Sequence, residues 1–429
     1  MSNRVPSDRD RVPSDRDRVP SDRDRVPSDL AAELDAADPL AKYVERFVPG
    51  DDLVAYLDGN SLGRPLRRTL ETLPEVVRAQ WGGRLIRAWD EGWLTQAERL
   101  GDRIGAACLG AASGQTIVAE STTVLIFKLL RVAIAARPGR DELVVLRDEF
   151  PTDRYIVERL AEDHALTVRW VDAPRDAGIT PELAADAVSD RTIAALFSGV
   201  AYRSGWWADM PAVTGVVQRS GALMLWDCSH AVGSVPLELD AWGVDMAMGC
   251  SYKYLNGGPG APAWAYVAAR HQSELRNPIP GWLGARAPFS MTEPFAPAEG
   301  IRRLVSGTHP ILGMVALGDM LDEIESVGTG LMGIRAIRAK SVLLTGFALS
   351  LVEELIPEAE LASPREEARR GGHLTIDHPN AARAVQSLWA EGVVPDFRHP
   401  SGVRVGLSPL STSFAEVERG IRALARALV

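Results

Sequence analysis

The chain has 429 residues, enough for about two or three packed units. Its 46% hydrophobic and 24% charged residues are ordinary globular usage, which excludes a disordered, collagen-like or disulfide-built chain. With 57 acidic against 47 basic residues the net charge is −10, so no nucleic-acid partner is expected, and no apolar run reaches the roughly 18 residues that a membrane span needs. Cys108, Cys228 and Cys250 are too scattered for a thiolate metal site, and the histidines lack ligand spacing, so no metal is expected and a reducing cytoplasm fits best.

Residues 1–29 are read as a tail. Arg-Val-Pro-Ser-Asp-Arg-Asp recurs from Arg4, Arg11 and Arg18, with one Val and one Pro per copy. Such a segment buries too little apolar area to offset its ordering, so deleting residues 1–28 is expected to leave stability and activity unchanged. Residues 30–70 follow as an N-terminal segment packing on a small domain, with an amphipathic helix over Ala31 to Val48 and a strand over Leu53 to Leu57.

Residues 71–300 alternate apolar strand-like runs with helix-period stretches. The runs are Thr116 to Ala119, Glu142 to Leu146, Leu166 to Val171, Thr192 to Phe197, Ala222 to Trp226, Met246 to Gly249 and Ala263 to Val267; the helices include Thr122 to Ala136 and Thr152 to Asp163. That alternation predicts an α/β fold, a large doubly wound, mostly parallel sheet. Residues 301–429 read as a smaller C-terminal α+β domain: a long helical stretch from Pro310 to Leu351, strands near His373 to Ile376 and Gly402 to Leu407, and a closing helix over Phe414 to Leu428.

Two segments carry the chemistry. Trp226-Asp227-Cys228-Ser229-His230 puts a carboxylate at the carboxyl end of an apolar strand, where open sheets bind ligands. Ser251-Tyr252-Lys253-Tyr254-Leu255-Asn256-Gly257-Gly258 puts a lysine just past another strand end. A pyridoxal 5'-phosphate enzyme needs these two parts: a lysine for a Schiff base and an aspartate that keeps the pyridine nitrogen protonated. Taken singly, each has a plainer reading as a helix cap or a surface lysine.

These segments, with Asp58-Gly59-Asn60-Ser61-Leu62-Gly63, Phe150-Pro151-Thr152-Asp153, Gly281-Trp282 and Arg404-Val405-Gly406-Leu407, resemble kynureninases of the bacterial type, in that order along nearly the whole chain after the tail. The resemblance implies a fold type I pyridoxal phosphate enzyme that hydrolyses the Cβ–Cγ bond of L-kynurenine, or of a ring-substituted (3-hydroxy or methylated) kynurenine, to an anthranilate and L-alanine. It implies catalytic roles for Lys253, Tyr252 and Asp227. It places Thr122, Thr123, Phe150, Asp153, His230, Trp282 and Thr308 at the cofactor with them, and Ser61, Trp89 and Arg404 at the substrate, with Arg404 clamping the α-carboxylate. A small amino-acid substrate and a homodimer with active sites at its interface follow from the same resemblance.

Ala201, Ala285, Leu125 and Ser411 depart from the family pattern, each replacing a residue that is usually polar or differently shaped, which leaves ring-substituent preference open. Two other readings remain. A cysteine desulfurase or β-lyase on the same fold needs a thiol on a loop over the cofactor, whereas the three cysteines fall at strand ends or in a helical stretch. A non-catalytic pyridoxal phosphate-binding protein has no use for Arg404.

Overall fold

The computed structural model describes residues 28–290 and 294–429. The repeat tail up to Pro27 lies outside the described residues, as do Met291 to Glu293.

Seven strands build the main sheet: β1 (Thr116–Val118), β2 (Glu142–Leu146), β3 (Thr167–Val171), β4 (Thr192–Ser198), β5 (Leu223–Asp227), β6 (Met246–Gly249) and β7 (Trp264–Val267). Their order across the sheet is β1-β7-β6-β5-β4-β2-β3, and only β7 runs against its neighbours. From β2 the chain steps outward to β3, then returns past β2 to β4 and winds the other way. The reversal between β2 and β4 is a topological switch point, and the carboxyl ends of the strands open a crevice there. Six of the seven strands are buried along their whole length and read as continuous apolar runs, and the sequence located all seven to within one residue. Helices α2 (Thr122–Ala136) and α3 (Pro151–His164) follow β1 and β2 directly, and α4 (Met210–Arg219) precedes β5.

A second sheet, in the order β10-β11-β9-β8, comprises β8 (Glu360–Leu361), β9 (His373–Asp377), β10 (Asp396–Arg398) and β11 (Gly402–Gly406), all antiparallel. It has its own core, built around Leu374, Ile376, Val403 and Val405 with helices α7 (Ala381–Ala390) and α8 (Phe414–Leu428).

Three expectations shift. The helix expected over Ala31 to Val48 is broken: α1 is Asp29–Ala37, Pro39 interrupts the pattern and a short turn follows at Ala41–Val44. The strand expected over Leu53 to Leu57 is reduced to Ala55–Tyr56, pairing in parallel with Val393–Val394. The helical stretch from Pro310 divides at Gly328-Thr329-Gly330 into α5 (Val315–Val327) and α6 (Leu331–Leu355).

The two cores interleave along the chain. Ala31, Ala55 and Leu57 belong to the smaller core, but Leu40, Tyr43, Phe47 and Leu66 belong to the larger one, so residues 30–70 do not pack on the small sheet alone. Ile301 to Ile337 also pack in the larger core, and α6 crosses between them: Ile334 and Ile337 sit in one, Leu344 to Val352 in the other.

The described chain begins two residues inside the expected tail, at Ser28. Ser28 caps α1 by accepting from Ala31 N, and its own backbone N–H donates to Glu418 of α8 at 2.8 Å. Asp35 in α1 accepts in turn from the backbone N–H groups of Phe414 and Ala415 at the start of α8. Ser28 is therefore not expendable. Replacing it with alanine should cost about 1 kcal/mol, read as a lowered unfolding midpoint in urea, because one orphan helix N–H loses its acceptor.

Candidate active site

The crevice at the switch point holds a cavity. Eight of the residues singled out in the sequence line it: Thr122 and Thr123 from the start of α2, Phe150 and Asp153 around the start of α3, Asp227 and His230 after β5, and Tyr252 and Lys253 after β6. Four strand ends thus supply one wall each.

Lys253 is fixed by its loop. Asn256, at φ 47°, turns the chain so that its N–H donates to the Lys253 carbonyl at 3.0 Å, while Gly257 N–H donates to Ser251 O and Ser251 Oγ to Pro262 O. The loop after Asp58 packs on the other side. A side chain at Gly63 would meet the Lys253 carbonyl oxygen at 2.5 Å, and Gly63 N–H donates to Tyr252 O. Lys253 Nζ then lies 2.9 Å from His230 Nε2 and 5.8 Å from the centre of the Phe150 ring.

Asp227 ends β5 in register with Ser198 of β4 and Met248 of β6, and its Oδ1 accepts from Ser229 N–H at 2.7 Å. Burial raises its carboxyl above the ordinary carboxylate range, an effect that the nearby Lys253 partly offsets. Asp153 is 1% exposed and neither carboxylate oxygen has a hydrogen-bond partner; burial, then the charges of Asp227 and Glu149, hold its carboxyl well above the usual range. His230 is buried, its Nδ1 has no partner, and burial with the neighbouring Lys253 holds the ring well below its ordinary pKa, so the imidazole is neutral.

Helix α2 points its N-terminus into the same space. Ser121 is its N-cap and accepts from Val124 N–H, which leaves the first-turn N–H groups and the hydroxyls of Thr122 and Thr123 directed at the cavity mouth.

The remaining candidates lie elsewhere. Trp282 forms an aromatic cluster with Trp89 and Phe289, ring centres 6.3 and 5.7 Å away, and Thr308 is exposed; none of these lines the cavity. Arg404 is 1% exposed on β11 and does not line it either; its Nη2 is 2.7 Å from Ser61 Oγ, so those two candidates meet each other. Of the departures, Leu125 is buried in the larger core, Ser411 is buried with its carbonyl bonded to Arg64, and Ala285 follows Trp282 in its short helical turn.

Sequence reasoning missed Ser198, Tyr202 and Glu149. Ser198 and Tyr202 line the cavity, and Tyr202 packs edge-on against Phe150 at 5.5 Å. Glu149 is fully buried beneath, where its carboxylate accepts from both N–H and Oγ of Ser198. A signal existed for Ser198, because β4 must deliver something at its carboxyl end beside Asp227.

This donor set fits pyridoxal phosphate. A primary amine, two buried carboxylates with acceptor capacity to spare, an aromatic face and a helix N-terminus surround one space, matching an aldehyde, a pyridinium, a flat ring and a phosphate. Solved structures share the fold. The chain superposes on the C-DES protein with glycine covalently linked to its PLP cofactor at TM-score 0.76, covering 86% of this chain and 96% of that one at 17% identity. It superposes on the apo cysteine desulfurase of Thermococcus onnurineus NA1 at TM-score 0.71, covering 92% and 98% at 16% identity. The sheet and its lysine–aspartate site define a fold type I pyridoxal phosphate enzyme.

Over 404 residues the chain is 40% identical to the kynureninase of Burkholderia pseudomallei (strain K96243) and 36% identical to that of Pseudomonas fluorescens, in each case spanning 92% of this chain and 94% of the relative. Residues 337–424 match the kynureninase C-terminal domain. The chain belongs to the kynureninase family, pyridoxal phosphate-dependent hydrolases of carbon–carbon bonds. All three cysteines are buried free thiols, and none lines the cavity as a desulfurase nucleophile would.

Glu149 makes the site's electrostatics measurable. Burial pushes its carboxyl from the ordinary 4.5 up to about 8. In the unfolded chain it ionises near its ordinary value, so the folded state loses stability as pH rises between those two values and the loss is complete above the higher one. In the cofactor-free protein, Glu149→Gln should therefore raise the melting temperature relative to wild type at about pH 8.5 and change it little at about pH 5, measured by calorimetry across that range.

Proposed function

We propose that this kynureninase-family enzyme accepts a ring-substituted kynurenine at least as well as L-kynurenine itself, with the residue roles below. The observation that carries the assignment of roles is the 2.9 Å approach of Lys253 Nζ to His230 inside the cavity that also holds Asp227, Asp153 and the N-terminus of α2.

When bound, pyridoxal phosphate supplies an electron sink conjugated to the substrate Cα. In this reading Lys253 Nζ anchors the cofactor and afterwards carries the Cα proton. Its hydrogen bond to neutral His230 keeps the amine aimed along one line. Asp227 would hold the ring nitrogen's proton, with Asp153 as a second acceptor from the wall. Phe150 would cover the ring and keep water from it. Thr122, Thr123 and the α2 N–H groups hold the phosphate, with the Tyr252 hydroxyl as a further donor placed to hand on a proton beside Lys253. Arg404 takes the substrate α-carboxylate, while Ser61 and Trp89 border the aryl end.

The wider aryl pocket rests on Ala285, a small side chain following Trp282 beside the Trp89–Trp282–Phe289 cluster. Comparing kcat/KM for kynurenine with its 3-hydroxy and ring-methylated forms tests it. A clear preference for unsubstituted kynurenine would remove the enlarged pocket and leave the hydrolase untouched.

A homodimer completes the site in this reading. Trp282 and Thr308 stand outside their own chain's cavity, and the helical stretch from Thr69 to Arg87 has no buried residue while exposing Leu70, Trp81, Leu85 and Ile86. Isolated short helices are marginal in water, so such a stretch needs a cover, and a second copy is the one proposed. Light scattering at micromolar concentration should give twice the chain mass. No helix among the described residues is long and apolar enough to cross a membrane, and a cytoplasmic setting is proposed with it.

The roles are tested together. Borohydride reduction and digestion of the loaded enzyme should leave a pyridoxyl label on the Lys253 peptide; a label elsewhere overturns the assignment. Asp227→Ala should lower turnover by at least about a hundredfold in a protein that stays folded.

A further inference from the structure

Arg404 is already occupied in a way that a waiting carboxylate clamp should not be. A guanidinium carries five N–H groups. Nη1 donates to the Tyr202 carbonyl at 2.8 Å, and Nη2 donates to Ser61 Oγ at 2.7 Å and to Asp396 Oδ2 at 2.6 Å. With the Asn60 amide oxygen turned toward it, Nε has an acceptor at 3.1 Å. Four N–H groups are engaged, whereas fork-to-fork recognition of a carboxylate uses two. At least one partner must leave before a substrate carboxylate can seat.

Asp396 is the partner built to leave. The Tyr202 carbonyl is backbone, and Ser61 is a neutral hydroxyl that rotates without charge cost. Asp396 is an anion, so it and an incoming carboxylate exclude each other at the same nitrogen, whereas the other carboxylate near it, Asp58 Oδ1, stands off at 3.7 Å from Nη2, beyond hydrogen-bond reach. It also has somewhere to go, because the same Oδ2 lies 2.6 Å from Arg398 Nη2. The small sheet sets this geometry: β10 runs antiparallel to β11 with Asp396 directly opposite Arg404, and Arg398 follows two residues on along the same face of β10. Asp396 and Arg398 are 20% and 28% exposed against 1% for Arg404, so the movable pair lies on the open side.

We propose that Asp396 is an internal carboxylate that holds Arg404 until the substrate's α-carboxylate replaces it, with Arg398 keeping Asp396 paired after the exchange. This rests on the reading of Arg404 as the clamp. It makes Asp396 a specificity-determining residue: an amine without a carboxylate has nothing with which to displace it, and Arg404 never stands buried and unpaired.

The test is calorimetric titration of L-alanine into the cofactor-loaded enzyme. Asp396→Asn removes the competing charge and should lower the Kd by at least about fivefold. Arg398→Met removes the alternative partner, leaves Asp396 on Arg404 and should raise the Kd by a similar factor. A general loosening of the site would move both variants the same way, so opposite signs are the signature. Cofactor content and melting temperature check that each variant is folded, and if Asp396→Asn does not fold, an unchanged or lowered Kd in Arg398→Met overturns the proposal alone. A raised or unchanged Kd in Asp396→Asn, with Arg404→Gln weakened, overturns the exchange and leaves the clamp. An unchanged Kd in Arg404→Gln overturns both.

Discussion

Three carboxylates buried around a single amine set the terms for the rest of this structure. Glu149, Asp153 and Asp227 share a low-dielectric space in which Lys253 is the nearby cation, and burial outweighs that cation for Asp227. Burial raises all three carboxyls above their ordinary range, so the cluster favours protonated forms. The sheet provides this arrangement by ending several parallel strands at one edge. It is the same edge at which α2 directs its N-terminal N–H groups, so acceptors for a cationic ring and donors for an anionic phosphate arise from one topological fact.

Most of that edge was legible in the sequence because each strand is buried on both faces and its last residue is the one that meets the ligand. Asp227 and Lys253 stood out for this reason, whereas Thr122 was found through the family resemblance. Ser198 stood at an equivalent position but carries no charge, and Glu149 sits three residues past its strand, where nothing in the local pattern separates a buried acid from a solvated one. The N-terminal segment was harder. Its apolar residues alternate between two cores, a division that no single helical period encodes, and Pro39 breaks the helix that the period suggests. Arg404 was found through family resemblance, but its pairing with Asp396 depends on the register of an antiparallel sheet, which sequence alone leaves undetermined.

The candidate site residues are divided between the two cores. Asp227 ends a strand of the large sheet and Lys253 and His230 lie in its loops, while Arg404 is carried by the small sheet, reaching across to the carbonyl of Tyr202. Ser61 and Asn60, from a loop that packs against the Lys253 turn, contact the same guanidinium. Arg404 and the Lys253 turn are therefore joined through that loop, and the two cores through α6, which is anchored in both.

The contact between α1 and α8 bears on how the protein is made. Helix α1 is capped by Ser28, which bonds to Glu418, and Asp35 of α1 caps the start of α8. A ribosome delivers α1 first and α8 last. The large sheet has all its strands once Val267 has emerged, but α1 and the Ala55–Tyr56 strand can dock only after nearly the whole chain is out. Until then Ala31, Ala55 and Leu57 have no core to enter, and this stretch is the part of the nascent chain most exposed to chaperones and proteases.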